Sequence, residues 1–455
     1  MKQPRLLLIL TEFPPRIGGM QTHALALARG LHELGYELEV LTYRANRHEE
    51  KNAVREIDAK LPFKVHRVLS RLGYWRNIDF IAKYAGIYQP DLIYSSTVFY
   101  GFLKDKQKAP VICRSVGNDV MRPWLAYPFP FGSWVLSLSF LDQNVYDLFK
   151  RFNYPEWVEI FFHRQRRRLM MESARRMDCI MANSAFTRDL LLEIGMPRGK
   201  ILEVVGGVDA ARFQYRSGGN IKKKNRLALG LPTDCYLIST ACRLVAKKGV
   251  DFLLNSLKEI REKMPDVHMA IIGDGKHEKK YRRMARELGL EEHVSFVGRV
   301  PQEAIQKYFW ASDAFVLASR IQVNQVTGLR DAETMGRVLC EANAAGIPVI
   351  AARSGGIPSV IKNRRNGLLF KPDDVASLIK ALKELRGNRE LRNRMIKEGL
   401  SRAKNKFDWK QIISIHEACI RGILKLDDIK HSGRGKSREK KKKAGKRKKR
   451  ELVRS

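Results

Sequence analysis

Long apolar runs are missing from this chain. No stretch approaches the roughly 18 apolar residues that a membrane-crossing helix needs. The opening residues, MKQPRLLLIL, lack a long apolar core and a small-residue cleavage site, so they read as a first buried strand rather than a secretion signal. Cysteine is sparse. The six, at 113, 179, 235, 242, 340 and 419, form no C-x-x-C pair. That argues against a disulfide framework or a zinc site and for a reducing cytoplasm. Acidic residues are few as well, 48 Asp and Glu against 85 Lys and Arg, for a formal net charge of +37. Such an excess implies an anionic partner: membrane lipid, nucleic acid or a polyanionic substrate. No short-period repeat, helix-turn-helix pattern or base-stacking aromatic platform is present, so nucleic acid is an improbable partner, reachable only through a basic tail. No Asp-x-Asp motif occupies a suitable loop, and no metal is expected.

A length of 455 residues with 44% hydrophobic content suits two globular domains. The chain is organised around residues 330–358, RDAETMGRVLCEANAAGIPVIAARSGGIP. The pattern reads as loop, helix, turn, strand and loop. The helix starts near Gly336 or Arg337 and carries Val338, Leu339 and Ala342 toward a core. Glu333 then lies just before the helix and Glu341 inside it. Backbone N–H groups around Met335, Gly336 and Arg337 are left unpaired at the helix start, which suits an anion. An ionised glutamate offers several acceptor sites and no donor, so it suits neutral sugar hydroxyls.

The pattern E-x2-G-x4-E-A-x2-A-x-G-x-P-V-I-A-x3-G-G-x-P resembles the donor-site signature of the retaining glycosyltransferases of family 4. The resemblance implies an α/β protein of the GT-B fold: two Rossmann-like, doubly wound domains facing across a cleft, with a C-terminal helix crossing back to the N-terminal domain. It also implies that Glu333 binds hydroxyls of the transferred sugar and Glu341 the ribose of the nucleotide.

At the other end, residues 5–10 are a continuous apolar run, consistent with a parallel strand covered on both faces. FPPRIGGMQTH follows, with Gly18 and Gly19 in a sharp loop before a helix. A Gly pair there lets backbone N–H groups approach a phosphate. Leu25, Leu27, Ala28, Leu31 and Leu34 are the expected apolar stripe of that helix. F-P-P-x-x-G-G-x-x-x-H also resembles the opening loop of family 4, which lines the cleft beside the donor diphosphate and acceptor. The stretch Ser115-Val116-Gly117-Asn118-Asp119 departs from the family, which often places a sugar-contacting histidine where Val116 stands. Asn118 and Asp119 are the candidate acceptor-side contacts, or simply a loop-capping pair.

Residues 121–170 concentrate aromatics, among them Trp124, Trp134, Trp157 and Phe161, followed by Arg164, Arg166, Arg167 and Arg168. A headgroup-zone segment and a buried helical insertion with a solvated basic edge both fit. In the second half, Arg243 and Lys248 flank a loop between a strand and a helix starting at Gly249. Two cations there form a diphosphate clamp, and G-R-L-x-x-x-K-G carries that pair in the family. The loop from Ile321 to Ala332 is longer than in many relatives and is expected to shape sugar choice.

The expected organisation is an acceptor domain at 1–206, a linker at 207–225 ending in the basic run KKKNR, a nucleotide-sugar domain at 226–406, a crossover helix at 407–425 and a disordered tail at 432–455. The tail has thirteen Lys or Arg against two Glu, a net +11. The resemblance implies transfer of a hexosyl unit from a UDP- or GDP-linked donor to an acceptor hydroxyl on a glycan or lipid-linked glycan in cell-envelope polysaccharide or glycolipid synthesis. A cytoplasmic protein, peripheral on the inner face of an anionic membrane, is expected. The alternative is a non-catalytic member that binds nucleotide-sugar or an anionic polymer in the same cleft.

Overall fold

The computed structural model describes residues 3–15, 18–45, 48–70, 73–121, 156–214, 221–325 and 328–426. Of the aromatic segment, residues 122–155 lie outside the described residues, as do the side chains of 156–165. So does the basic tail. Arg167 and Arg168 are described, and both are exposed on the helix Glu156–Arg176.

Two parallel sheets form two lobes. The first holds β1 (Arg5–Ile9), β2 (Glu37–Tyr43), β3 (Lys64–Leu69), β4 (Leu92–Ser95), β5 (Val111–Ser115), β6 (Cys179–Ala182) and β7 (Ile201–Glu203). Their order is β3-β2-β1-β4-β5-β6-β7. The second holds β8 (Tyr236–Ala241), β9 (Val267–Ile272), β10 (Val294–Gly298) and β11 (Ala314–Leu317). A small antiparallel hairpin, β12 (Gln322–Val323) with β13 (Arg330–Asp331), follows, and then β14 (Val349–Ala352) and β15 (Leu368–Phe370) complete the second sheet in the order β10-β9-β8-β11-β14-β15. Leu6 to Ile9 are fully buried because β1 lies mid-sheet and is covered on both faces. Each sheet reverses its strand order at one place, between β1 and β4 and between β8 and β11. Open α/β sheets bind ligands beyond the carboxyl ends of strands at such a reversal.

The helix Gly19–Glu33 packs Ala24, Leu27, Ala28 and Leu31 into the first core. Leu34, expected in that stripe, is the capping residue and is 48% exposed. The far side of this helix is also covered. The crossover helix Trp409–Ile423 lies against it, bringing Ile412 and Ile420 into the first-lobe core. Gly30 makes the approach possible, since a Cβ there would stand 2.2 Å from Ile413 Cδ1. The Sγ atoms of Cys419 and Cys179 stand 3.5 Å apart along the same contact. The two chain passages between the lobes run side by side, with Val208 bridging Asp408 and the Ala210 N–H donating to the Asp408 carboxylate at 3.1 Å.

The basic run KKKNR is not extended linker. It lies in the helix Ile221–Ala228, where Lys222 and Arg226 both pair with Asp313 at 2.7 Å. Those ion pairs seat the helix under the second sheet. No helix of the described residues is long and apolar enough to cross a membrane.

Candidate active site

The loops at the carboxyl ends of β8, β9, β11 and β14 converge on one place. After β8 the chain makes a tight turn, Ala246–Lys248, closed by Gly249 at φ +67°. A Cβ on Gly249 would meet the Ala318 carbonyl oxygen at 2.2 Å, so only glycine fits between this turn and β11. Gly273 packs as tightly against the Cys242 carbonyl, and the Leu244 N–H donates to Asp274 O at 2.7 Å. The turn bearing Arg243 and Lys248 is therefore fixed from both sides.

Lys248 reaches across and pairs with Glu333. Burial alone would raise the Glu333 pKa. The Lys248 ammonium, with Lys247 and the Gly336 N–H, outweighs burial and holds the carboxyl below its usual range. Lys248 is shifted the opposite way: burial favours its neutral form, but the Glu333 carboxylate raises its pKa. Both groups therefore stay charged. The Gly336 N–H, expected to be free for an anion, is directed at Glu333 instead. Arg243 is exposed beside them.

Glu333 is also braced from behind. The Gly356 N–H donates to Glu333 O at 2.8 Å. A Cβ on Gly356 would stand 1.7 Å from Thr334 O, and one on Gly355 2.2 Å from Glu333 O. The helix Arg337–Ala344 follows, with Gly336 left-handed at its cap. Glu341 is buried on it, 3.4 Å from Arg337 Nε. The Met335 side chain points into the second-lobe core, so only its backbone is available to a ligand.

The first lobe meets this place. A side chain on Gly19 would begin 3.9 Å from the Arg337 guanidinium carbon. Gly18 accepts two hydrogen bonds from Thr22, both at 3.0 Å. Asn183 Nδ2 donates to Thr334 Oγ1 at 3.3 Å, and Arg330 pairs with Glu193 at 2.5 Å. The Gly loops and Glu333, which lie at opposite ends of the sequence, thus share one cleft. Asp119 does not face it as a free acceptor-side contact. Its carboxylate is buried, accepting Ser115 Oγ at 2.7 Å and the Val98 N–H at 3.1 Å. Asn118 is half-buried, and its Oδ1 has no partner among the described residues.

Sequence reasoning missed Lys247 and Asp331. Lys247 is buried and pairs with Asp331 at 2.8 Å, tying the β12–β13 hairpin to the turn after β8. Adjacent lysines carry no signal for which one reaches inward. A cavity of about 400 Å³ lies elsewhere, lined by Tyr236, Asp313 and Pro348 at the amino ends of the second sheet. It touches neither Arg243, Lys247, Lys248, Glu333 nor Glu341.

Residues 17–212 match the profile of glycosyltransferase family 4, and residues 221–402 that of glycosyl transferases group 1. A GDP-mannose-dependent alpha-(1-6)-phosphatidylinositol monomannoside mannosyltransferase of Mycolicibacterium smegmatis is 32% identical over 208 residues, covering 46% of this chain and 53% of that protein. The chain thus spans about half the length of that relative. Sulfoquinovosyl transferase SQD2 of Arabidopsis thaliana is 26% identical over 90% of this chain and 72% of its own. The structure of Anabaena Alr3699/HepE in complex with UDP superposes with a TM-score of 0.68 over 92% of this chain and all of that one, at 18% identity. That likeness establishes the fold, two Rossmann-like lobes of GT-B type. With both halves matched in order and the two lobes assembled in this way, the chain belongs to the group 1, family 4 glycosyltransferases.

Proposed function

We propose that the chain is a retaining, metal-independent hexosyltransferase. It takes a UDP- or GDP-linked hexose and passes the sugar, α-linkage kept, to a hydroxyl of a glycan or lipid-linked glycan in cell-envelope polysaccharide or glycolipid synthesis. Arg243 and Lys248 take the diphosphate, Gly18 and Gly19 close over it, Glu341 takes the ribose and Glu333 the sugar hydroxyls. The anomeric carbon–oxygen bond breaks, the acceptor oxygen bonds to the same face, and the departing phosphate oxygen takes the acceptor proton. No side-chain base is then required, and Val116 in place of a histidine is tolerable. The cations carry the leaving charge that a metal would otherwise carry.

The observation behind this reading is the Lys248–Glu333 pair. It sets a cation for the phosphate in contact with an acceptor for sugar hydroxyls, on a turn fixed by glycines. The relatives' names support both nucleotides, GDP-mannose for one and UDP for another. The excess positive charge supports residence on an anionic membrane face.

The test is a panel of UDP- and GDP-linked hexoses on the full chain, with binding read by thermal shift and turnover by nucleotide release. One donor should bind and be slowly hydrolysed, and Glu333→Ala should abolish release while nucleotide still binds. Binding with no turnover in any membrane extract would favour the non-catalytic alternative.

A further inference from the structure

The first lobe has its own pocket at the strand reversal between β1 and β4. Leu10, Tyr94, Ser96 and Arg114 line it from β1, β4 and β5 or their carboxyl ends, and His23 from the covering helix Gly19–Glu33. Arg114 points to the sheet face that the helix Gly19–Glu33 and the crossover helix cover, and it is 93% buried. Among the described residues its guanidinium holds no carboxylate, and its Nε has no hydrogen-bond partner. Asp119 acts on it through space but is committed to Ser115 and Val98. Glu12 borders the pocket with its carboxylate taken by Gln21 Nε2 at 2.6 Å.

The neighbours of Arg114 are unsatisfied too. Both ring nitrogens of buried His23 and the hydroxyl of Tyr94 have no partner among the described residues. His416, from the crossover helix, lies 5.4 Å from His23 and 6.0 Å from Tyr94 by ring centres, with its Nε2 unpaired among the described residues. Arg337 adds a second positive charge from the opposite lobe, acting on both Arg114 and His23. Buried polar groups in folded proteins are nearly always paired, and a buried guanidinium without a counterion is costly. Three unpaired groups around one opening, Arg114, His23 and Tyr94, with His416 behind them and two guanidinium charges nearby, are the complement of an oxyanion. The space is about 20 Å³, room for one or two oxygen atoms and not for a sugar ring.

We propose that this pocket seats the terminal oxyanion of the acceptor, so that the substrate class on the first lobe is a sugar or polyol carrying a phosphate or a carboxylate. The assignment rests on the transferase reading for the word acceptor. The oxyanion site itself rests only on these residues. Arg114 offers the forked donor, His23 and Tyr94 offer one donor each, and Arg337 supplies long-range attraction as the lobes meet. The acceptor's reacting hydroxyl is then held outside the pocket, on the side facing Glu333.

Titration of the full chain with inorganic phosphate, followed by thermal shift and calorimetry, tests the site. Wild type should bind phosphate, and Arg114→Gln should weaken that binding at least tenfold. Tyr94→Phe, which removes one hydroxyl and little volume, should weaken it about threefold to tenfold and decides the matter if Arg114→Gln does not fold. Glucose 6-phosphate and glucuronate, compared with glucose, identify the source: a stronger response to the first assigns a phosphate, to the second a carboxylate. An equal response to neutral glucose overturns the proposal. So does a phosphate response that survives Arg114→Gln and disappears with Arg243→Gln, which would put the anion on the donor side. Failure of the transferase reading is seen separately, as no response of wild type to any nucleotide.

Discussion

The two lobes share a sheet architecture but treat charge at their carboxyl edges differently. On the second lobe Lys247 holds Asp331 and Lys248 holds Glu333, with glycines pressed against the loops that carry them. On the first lobe Arg114 and His23 hold no carboxylate among the described residues, the nearby Asp119 being bonded to Ser115 and Val98. A charge paired inside the chain is in place before a ligand arrives. A buried charge without a partner is neutralised only by what binds. The charges at the second lobe's edge are thus organised in advance, and on the reading proposed above those of the first lobe are completed by what binds there.

The largest break in this comparison is Gly356→Ala. The new Cβ would stand 1.7 Å from Thr334 O, with no flexible side chain to yield. The Glu333 loop must move, and donor turnover should fall at least 100-fold, with stability lowered by about 3 kcal/mol. Donor hydrolysis and a denaturant melt check both. A variant with normal turnover would show that the second lobe's loop is not rigid in the way argued.

Acid should sharpen the comparison next. Burial holds His416 down to about 4, and His23, beside Arg114 and His416, well below its usual value. On the second lobe His268 is also near 4 through burial. A histidine kept neutral in the fold binds fewer protons than it does unfolded. Its contribution to stability is therefore complete above about pH 6.5 and is lost as pH falls toward the folded value. Between pH 6.5 and 5, His416 and His268 each cost about 1.5 kcal/mol, and His23 adds to this in the same direction. Because His23 and His416 face each other, the first lobe should loosen first, seen as earlier hydrogen exchange in Gly19–Glu33 than in Val250–Lys263. His416→Gln, which takes up no proton, should flatten the pH dependence.

The smallest effect is a control. Lys106–Asp79 on the first lobe and Arg283–Glu287 on the second are exposed pairs. Lys106→Ala and Arg283→Ala should each shift stability by no more than about 0.5 kcal/mol in thermal melts. A larger loss in either would mean that the lobes differ in charge pairing generally, not only at their ligand edges.

Much of the second-lobe cleft was legible because it is local. One strand, loop and helix unit holds Glu333, Gly336 and Glu341, and the helix begins at Arg337 as its pattern implies. The two-lobed fold followed from the chain length and from the resemblance of the motifs at residues 333–358 and 13–23 to family 4. What escaped was the product of long-range packing. The basic run 222–226 reads as linker until Asp313 seats it. Asp119 reads as a contact until Ser115 and Val98 enclose it. The first-lobe pocket draws on residues 23, 94 and 114, backed by 416, whose separation no window along the chain spans.

The crossover helix has a consequence for how this protein is made. Its residues 412 and 420 belong to the core built around β1. A ribosome therefore releases the first lobe's strands and helices long before the piece that covers Leu27, Gly30 and His23 exists. Until translation passes residue 423, that face stays open to water, and the amino-terminal half waits on the carboxyl-terminal half. The order of synthesis runs from one end of the chain to the other, but completion of the first lobe comes last.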